Sequence, residues 1–302
     1  MKTIKYLCKR NVKIYFKDKG MFFPSLITPV ILLVLYATFL KKVYDDSFRS
    51  SLKAADVTIS DSVINGCVGG QLVSSLLAVC CVTVAFCSNL LMVRDKTSGA
   101  IKDLTVSPVK PSVLSISYFL SSLLSTLIIS AVGAAACLIY LAATGWYLTF
   151  ADVISLLLNV ILLTTFGTAL SSCVNFFLST DGQASAVGTI VSAGYGFICG
   201  AYMPLSAFGE GLRNTLGFLP GTYGTSLIRN CTLRGAFEEM SASGFPAEAV
   251  ESIRDSIDCN LYFFGNKVEI WVMYLIMLGS TALLIGLYVL FNVISSRKNA
   301  GK

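Results

Sequence analysis

Hydrophobic residues in this chain come in long blocks, and the charged ones fall between them. Uncharged runs cover Gly20–Leu40, Ser62–Val93, Pro111–Ala151, Val153–Thr180, Gly182–Gly209 and Ile270–Ser296, each 21 to 41 residues long. A bilayer core of about 30 Å takes roughly 20 helical residues, so each run predicts one spanning helix. The longest leaves no room for two spans and a loop, and the count is six. The stretch before the first run has another period. Over residues 2–19, Ile4, Leu7, Cys8, Val12 and Tyr15 share one helical face, and Lys2, Lys5, Lys9, Arg10, Lys13 and Lys17 share the other. That predicts an amphipathic helix lying in the headgroup plane against anionic lipid. Gly20 is expected to break its direction, and Pro29 to kink the first span.

The connections carry their own signals. Between the second and third runs, Val93–Lys110 holds six charges, a glycine and a proline in 18 residues. Within it, residues 98–106 can make two helical turns, with Ile101 and Leu104 on one side and Lys102 and Asp103 on the other. Gly99 permits a tight turn or close contact, and Ser107-Pro108 ends the helix. By residue chemistry alone an ordinary capped loop is the alternative. The second span contains Gln71, Ser74 and Ser75, which either line a polar path or hydrogen-bond to neighbouring helices. The fifth is rich in glycine (Gly188, Gly194, Gly196, Gly200), which allows close helix approach. Beyond it, residues 205–230 are half apolar and broken at Pro220-Gly221. They predict two short helices dipping into one leaflet. Pro246 then opens a further helix in which Val250, Ile253 and Ile257 form a stripe, giving a small cap.

Composition and charge orient this picture. Charged residues make up 13% of the chain, against about 25% in soluble domains. Fourteen Lys/Arg and four acidic residues lie in the N-terminus, the second and fourth connections and the C-terminal tail; nine and thirteen lie in the other connections. The basic side faces the cytoplasm, which puts both termini inside the cell membrane and the long fifth connection outside. No compact basic domain exists for nucleic acid. The first apolar run is long enough to span, so no cleavable signal peptide is expected. No charge sits in the middle of a span, which argues against a proton- or sodium-driven carrier. A phosphate-binding G-x-x-x-x-G-K-S/T loop is missing. With no histidine and no C-x-x-C pair, no metal site is expected and His-based acid–base chemistry is excluded. Of ten cysteines, only Cys231 and Cys259 lie well inside the outward loop, and a disulfide between them is expected.

The order R-D-K-x-S-G-A-x-K-D-L-x-V-S-P-V resembles the segment after the second helix in ABC transporter permeases of the type-2 exporter class. Arg94, Asp95, Lys96, Gly99, Leu104, Ser107 and Pro108 fit it, and Ile101 shares the apolar side with Leu104. A second match is Met203-Pro204-Leu205, Leu212, Pro220-Gly221-Thr222-Tyr223 and Arg229, which resembles that class after its fifth helix. Val93 and Ala100 stand where the class often has Glu and Thr, and the 232–268 insert is longer than in minimal members.

The resemblance implies one all-α polytopic domain, 1–302. It would have six spans, an interfacial helix at 2–19, a cytoplasmic coupling segment at 94–110, and external re-entrant helices and cap at 205–268. It implies pairing with a second permease and with separate ATPase subunits that bind ATP and magnesium, with no cofactor and no catalysis in this chain. Closure of the ATPases would move the coupling helix, and the second span would tilt against the fifth. The substrate route would follow Gln71, Ser74 and Ser75, carrying a hydrophobic, amphipathic, peptide or lipid-linked substrate outward, since no E-A-A-type importer loop is present. A membrane-embedded lipid-modifying enzyme would need clustered acids or histidines, whereas Asp152 and Asp181 are isolated on opposite sides. A non-transporting sensor or immunity subunit would share the same features.

Overall fold

The computed structural model describes residues 2–42, 44–46, 49, 60–106 and 109–300. Helices α1 (Lys2–Lys17) and α2 (Lys19–Leu35) meet at 70°. Asp18 makes the corner: its carboxylate accepts from the Gly20 N–H at 2.8 Å and caps α2, satisfying one of the donors a helix start leaves open. Gly20 therefore lies within α2, and Asp18 rather than Gly20 turns the chain. α2 runs through both Pro24 and Pro29 into a π-helical turn, Tyr36–Leu40.

The long helices follow the apolar runs. They are α3 (Asp61–Thr97), α5 (Pro111–Thr144), α6 (Phe150–Phe176) and α11 (Ile270–Ala300), with short α4 (Ala100–Val106) between α3 and α5. Pro111 sits at the start of α5, where its missing N–H costs nothing. Thr149 and Asp152 form a reciprocal capping box for α6. The 18-residue α7 (Asp181–Ile198) is capped by Thr180. Four helices among the described residues (α3, α5, α6 and α11) are long and apolar enough to cross a membrane, and the bent α1–α2 pair makes five if taken as one span. Length and composition thus support four to five crossings where six were expected. α5 exposes Ile116, Leu120, Leu124, Ile128 and Val132, and α11 exposes Leu275, Leu278, Leu283 and Leu290. Apolar stripes that long belong in lipid.

The segment after α7 differs from the expectation in two ways. A 3₁₀ turn (Leu205–Ala207) and short α8 (Glu210–Leu216) lead to α9 (Pro220–Ala242), a 23-residue helix rather than a second short one. After α10 (Ala247–Ser256) comes an antiparallel hairpin, β1 (Leu261–Phe263) with β2 (Asn266–Val268). The chain is therefore not wholly helical. Phe264 and Gly265 both have positive φ, 48° and 81°, the geometry of a two-residue primed turn. Val250, Ile253 and Ile257 all turn inward as the stripe predicts.

α3 is the axis of the molecule. α2, α5, α6, α7 and α9 all pack on it, and 94% of its most apolar stretch is buried. Small residues allow the closest approaches. A Cβ on Gly70 would lie 2.8 Å from the Thr232 carbonyl oxygen, and one on Gly167 3.0 Å from Val82 Cα. Thr232 Oγ1 donates to the Gly70 carbonyl at 3.0 Å, joining α9 to α3. The inward face of α1 packs on α5 rather than lying against lipid; Asn11 Nδ2 donates to Ser121 Oγ at 3.3 Å.

One fully buried charge fastens the far end. Arg229 of α9 has no exposed surface. Its Nη1 donates to the Ile257 carbonyl at 2.6 Å, and its Nη2 to the Gly200 carbonyl at 2.8 Å and to Ser75 Oγ at 3.3 Å. Asp258 supplies the counter-charge at 3.6 Å and accepts from the Leu205 and Ser206 N–H groups. Burial pushes the Asp258 carboxyl above its ordinary range, against the pull of Arg229 and the two N–H donors. Methionine at 229 would strand Asp258 and two carbonyls, at a cost of about 3–5 kcal/mol. We expect Arg229→Met to lower the melting temperature of the purified protein in lipid. Arg229→Lys should recover only part of the loss, because one ammonium cannot reach all these acceptors. A melting temperature equal to wild type in Arg229→Met would show that the charge is not structural.

Candidate functional site

The corner between α3 and α4 gathers most of the residues singled out between 94 and 108. Asp95 is buried, and its carboxylate accepts from Arg10 Nη1 at 2.7 Å and from the Tyr118 hydroxyl at 2.6 Å. Arg94 pairs with Asp18 at the α1–α2 corner. Lys96 Nζ donates to the Phe176 carbonyl at 2.8 Å, at the end of α6, and lies 5.4 Å from the centre of the Phe176 ring. Thr97 Oγ1 donates to Asp181 Oδ1 at 3.2 Å, at the start of α7. The Arg-Asp-Lys cluster is thus an internal clamp on α1, α2, α5 and α6.

The rest of the segment is the turn at Gly99 and the short α4. Gly99 has φ +80°, and a Cβ added to it would meet nothing within 4 Å. It therefore serves the turn and not a close contact; a side chain there would be strained. Ile101 and Leu104 are half-buried against the core beneath α1, α3 and α5. Asp103 and Val106 face outward. Ser107 and Pro108 lie outside the described residues. The clamp could not be found in the sequence alone, because its partners are 23 to 85 residues away.

A groove of about 810 Å³ runs between α2 and α7, with α3 as its floor. Ile27, Ile31 and Leu35 form one wall, Ser185, Gly188 and Ser192 the other, and Cys87 and Leu90 the base. The expected path residues are elsewhere. Gln71, Ser74 and Ser75 are fully buried inside the bundle. Ser74 Oγ donates to the Gln71 carbonyl at 2.8 Å, and Ser75 serves Arg229. The Gln71 amide makes no well-formed hydrogen bond, although the Tyr44 hydroxyl lies beside it. Ser74 and Ser75 are thus tied within the bundle, and none of the three lines the groove, whose floor at Cys87 and Leu90 lies more than three turns further along the same helix. The small residues at 185, 188 and 192 recur at helical spacing on α7, a signal present in the sequence. A Cβ added at Gly188 or Gly194 would meet nothing within 4 Å among the described residues, whereas one at Gly196 would run into the Tyr202 ring.

The second motif converges on one junction. Pro204 precedes the 3₁₀ turn, Pro220 begins α9, and the Tyr223 hydroxyl donates to the Gly217 carbonyl at 2.6 Å. Arg229 follows two turns later with the contacts described above. The expected Cys231–Cys259 bridge is corrected: both thiols are free. Cys231 Sγ accepts from Asn159 Nδ2 at 3.2 Å, towards α6. Cys259 is buried on the Arg229 side, where its carbonyl accepts from Asn230 Nδ2 at 2.6 Å.

No curated protein matches the chain significantly. The profile of the ABC-2 type transporter family matches residues 2–233, from α1 into α9. Spanning most of the 302 residues and enclosing both the α3–α4 corner and the groove, that match shows that the chain belongs to the ABC-2 type transporter family and is an ABC transporter permease.

Proposed function

We propose that this permease is the membrane subunit of an ATP-driven exporter. It works with separate ATPase subunits that hold ATP and magnesium, and with a second permease copy or paralogue. The observation that carries this reading is α4, a short helix on a glycine hinge, outside the bundle yet joined end-on to its axis. A partner pressing on α4 moves α3, and α3 forms the floor of the groove between α2 and α7. The clamp at Asp95 makes the motion a rigid-body one, since α1, α5 and α6 are tied to the same turn of helix.

In this reading α2 and α7 are the first and fifth of six crossings, and the groove between them faces the second permease. The vacant space beside Gly188 and Gly194 supports close packing there. The groove's apolar wall and hydroxyl-bearing wall suit a hydrophobic or amphipathic substrate. The exposed lysines of α1 meet anionic headgroups. Both termini and α4 lie in the cytoplasm, and α8, α10 and the hairpin lie outside the plasma membrane.

Two outcomes are expected. Gly99→Pro fixes φ near −65° where the hinge needs a positive value, and Leu104→Asp puts a charge on the packed side of α4. Each should lower ATPase-subunit capture and transport at least tenfold while insertion is unchanged; wild-type capture and transport in both would remove the coupling role. Impermeant thiol labelling of intact cells should reach Ser243→Cys, which is exposed beyond α9, and should miss Thr97→Cys. Labelling of the second position from outside would reverse the orientation.

A further inference from the structure

The end of the molecule opposite α4 holds a second, separate cavity of about 350 Å³. It is enclosed by the 3₁₀ turn, α8, the start of α9, α10 and β1. Its wall carries two charges of opposite sign that make no ion pair among the described residues, although Arg213 is near enough to Asp258 to favour its ionised form. Arg213 of α8 is half-buried, its Nε is buried without a hydrogen-bond partner, and it forms no ion pair among the described residues. Asp255 of α10 also forms no ion pair among them; its Oδ1 accepts from Asn260 Nδ2 at 2.7 Å and the Tyr262 hydroxyl at 3.1 Å, which fix its direction. Asp258, on the same wall, is already committed to Arg229 and two backbone N–H groups.

We propose that this cavity binds a small zwitterion, an amino acid or a short peptide, with its carboxylate on Arg213 and its ammonium on Asp255. Charge selects this class. A ligand with only a carboxylate meets Arg213 but is repelled by Asp255 and Asp258. A ligand with only an ammonium is repelled by Arg213. Only a molecule bearing both charges satisfies both walls, and its carboxylate would give the buried Arg213 Nε the acceptor it lacks. The volume lies in the range of small-molecule sites and suits a ligand no larger than a dipeptide. Leu205, Leu261 and Gly217 leave space for a small aliphatic side chain.

The test uses the full-length protein in lipid nanodiscs and isothermal titration with L-alanine and L-alanyl-L-alanine. The controls are N-acetyl-L-alanine, which lacks the ammonium, and L-alaninamide, which lacks the carboxylate. At least one zwitterion should bind, and each control should bind at least tenfold more weakly. Arg213→Gln and Asp255→Asn should each weaken zwitterion binding at least tenfold. Ser252→Trp adds bulk to the cavity from an exposed lining position without removing either charge, and should abolish binding while the melting temperature stays at the wild-type value. Absence of zwitterion binding at millimolar concentration, equal binding of the controls, or wild-type binding in Ser252→Trp would each overturn the proposal. Any of these results leaves the ATPase-coupled reading standing, because that rests on α4 at the other end.

Discussion

A guanidinium sealed from water must find its acceptors within the protein, and in this molecule that requirement fixes the architecture of one end. Arg229 can be buried only if the end of α10, the end of α7 and the middle of α3 all reach it. Asp258 then balances the charge while holding the 3₁₀ turn by its backbone. The other end repeats the device with the signs exchanged, since Asp95 is the buried group and Arg10 and Tyr118 come to it. Ser75 and Asp95 are 20 residues apart on one helix, about 30 Å at 1.5 Å per residue, which is the thickness of a bilayer core. α3 is thus fastened by two polar hubs that far apart and sheathed in apolar packing between them.

This arrangement suits a helix that transmits force. A buried ion pair is weak support for stability as such, but it fixes register: neither hub tolerates a slip of one turn without stranding a charge. Gly70, just before the first hub, and Gly167, which meets Val82 between the hubs, let α9 and α6 approach α3 at backbone distance. The wider open space beside α3 lies on its α2 and α7 sides, about 810 Å³ against about 120 Å³ between α2, α3 and α5. In the proposed mechanism, motion entering through α4 has most room to yield along the groove.

Much of this was legible in the sequence, for a physical reason. A helix that crosses a bilayer must be long and largely uncharged, so the runs 62–93, 111–151, 153–180 and 270–296 mark α3, α5, α6 and α11 closely. Pro111, Thr180 and Pro220 mark helix starts because capping and proline chemistry are local. The functional assignments were harder to read. Helix α3 is buried on all faces along most of its length, so its sequence has no face that separates a path from packing, and Gln71, Ser74 and Ser75 could not be placed. The charges at 94–96 read as a docking surface because their partners lie in α1, α2, α5 and α6. The length of α9 was hidden by Arg229 and Arg234, which interrupt its apolar pattern until Asp258 and Asp152 are seen beside them. The hairpin turn at Phe264-Gly265 lacks the Asn-Gly or Asp-Gly pair that would announce it.

The central claim is that pressure on α4 is delivered through a rigid α3 to the groove. It is tested most directly by the distance between spin labels on the two groove walls. Ile31→Cys on α2 and Thr189→Cys on α7 would be labelled in a chain carrying Cys8→Ser, Cys87→Ser and Cys231→Ser, which removes the two half-buried cysteines and the one at the base of the groove. The pair would be measured in nanodiscs by pulsed electron double resonance with the ATPase subunits bound, nucleotide-free and vanadate-trapped. The account predicts a shift in the distance distribution on trapping, and its loss when Leu104→Asp is added. An identical distribution in both nucleotide states, or a shift that survives Leu104→Asp, would contradict it.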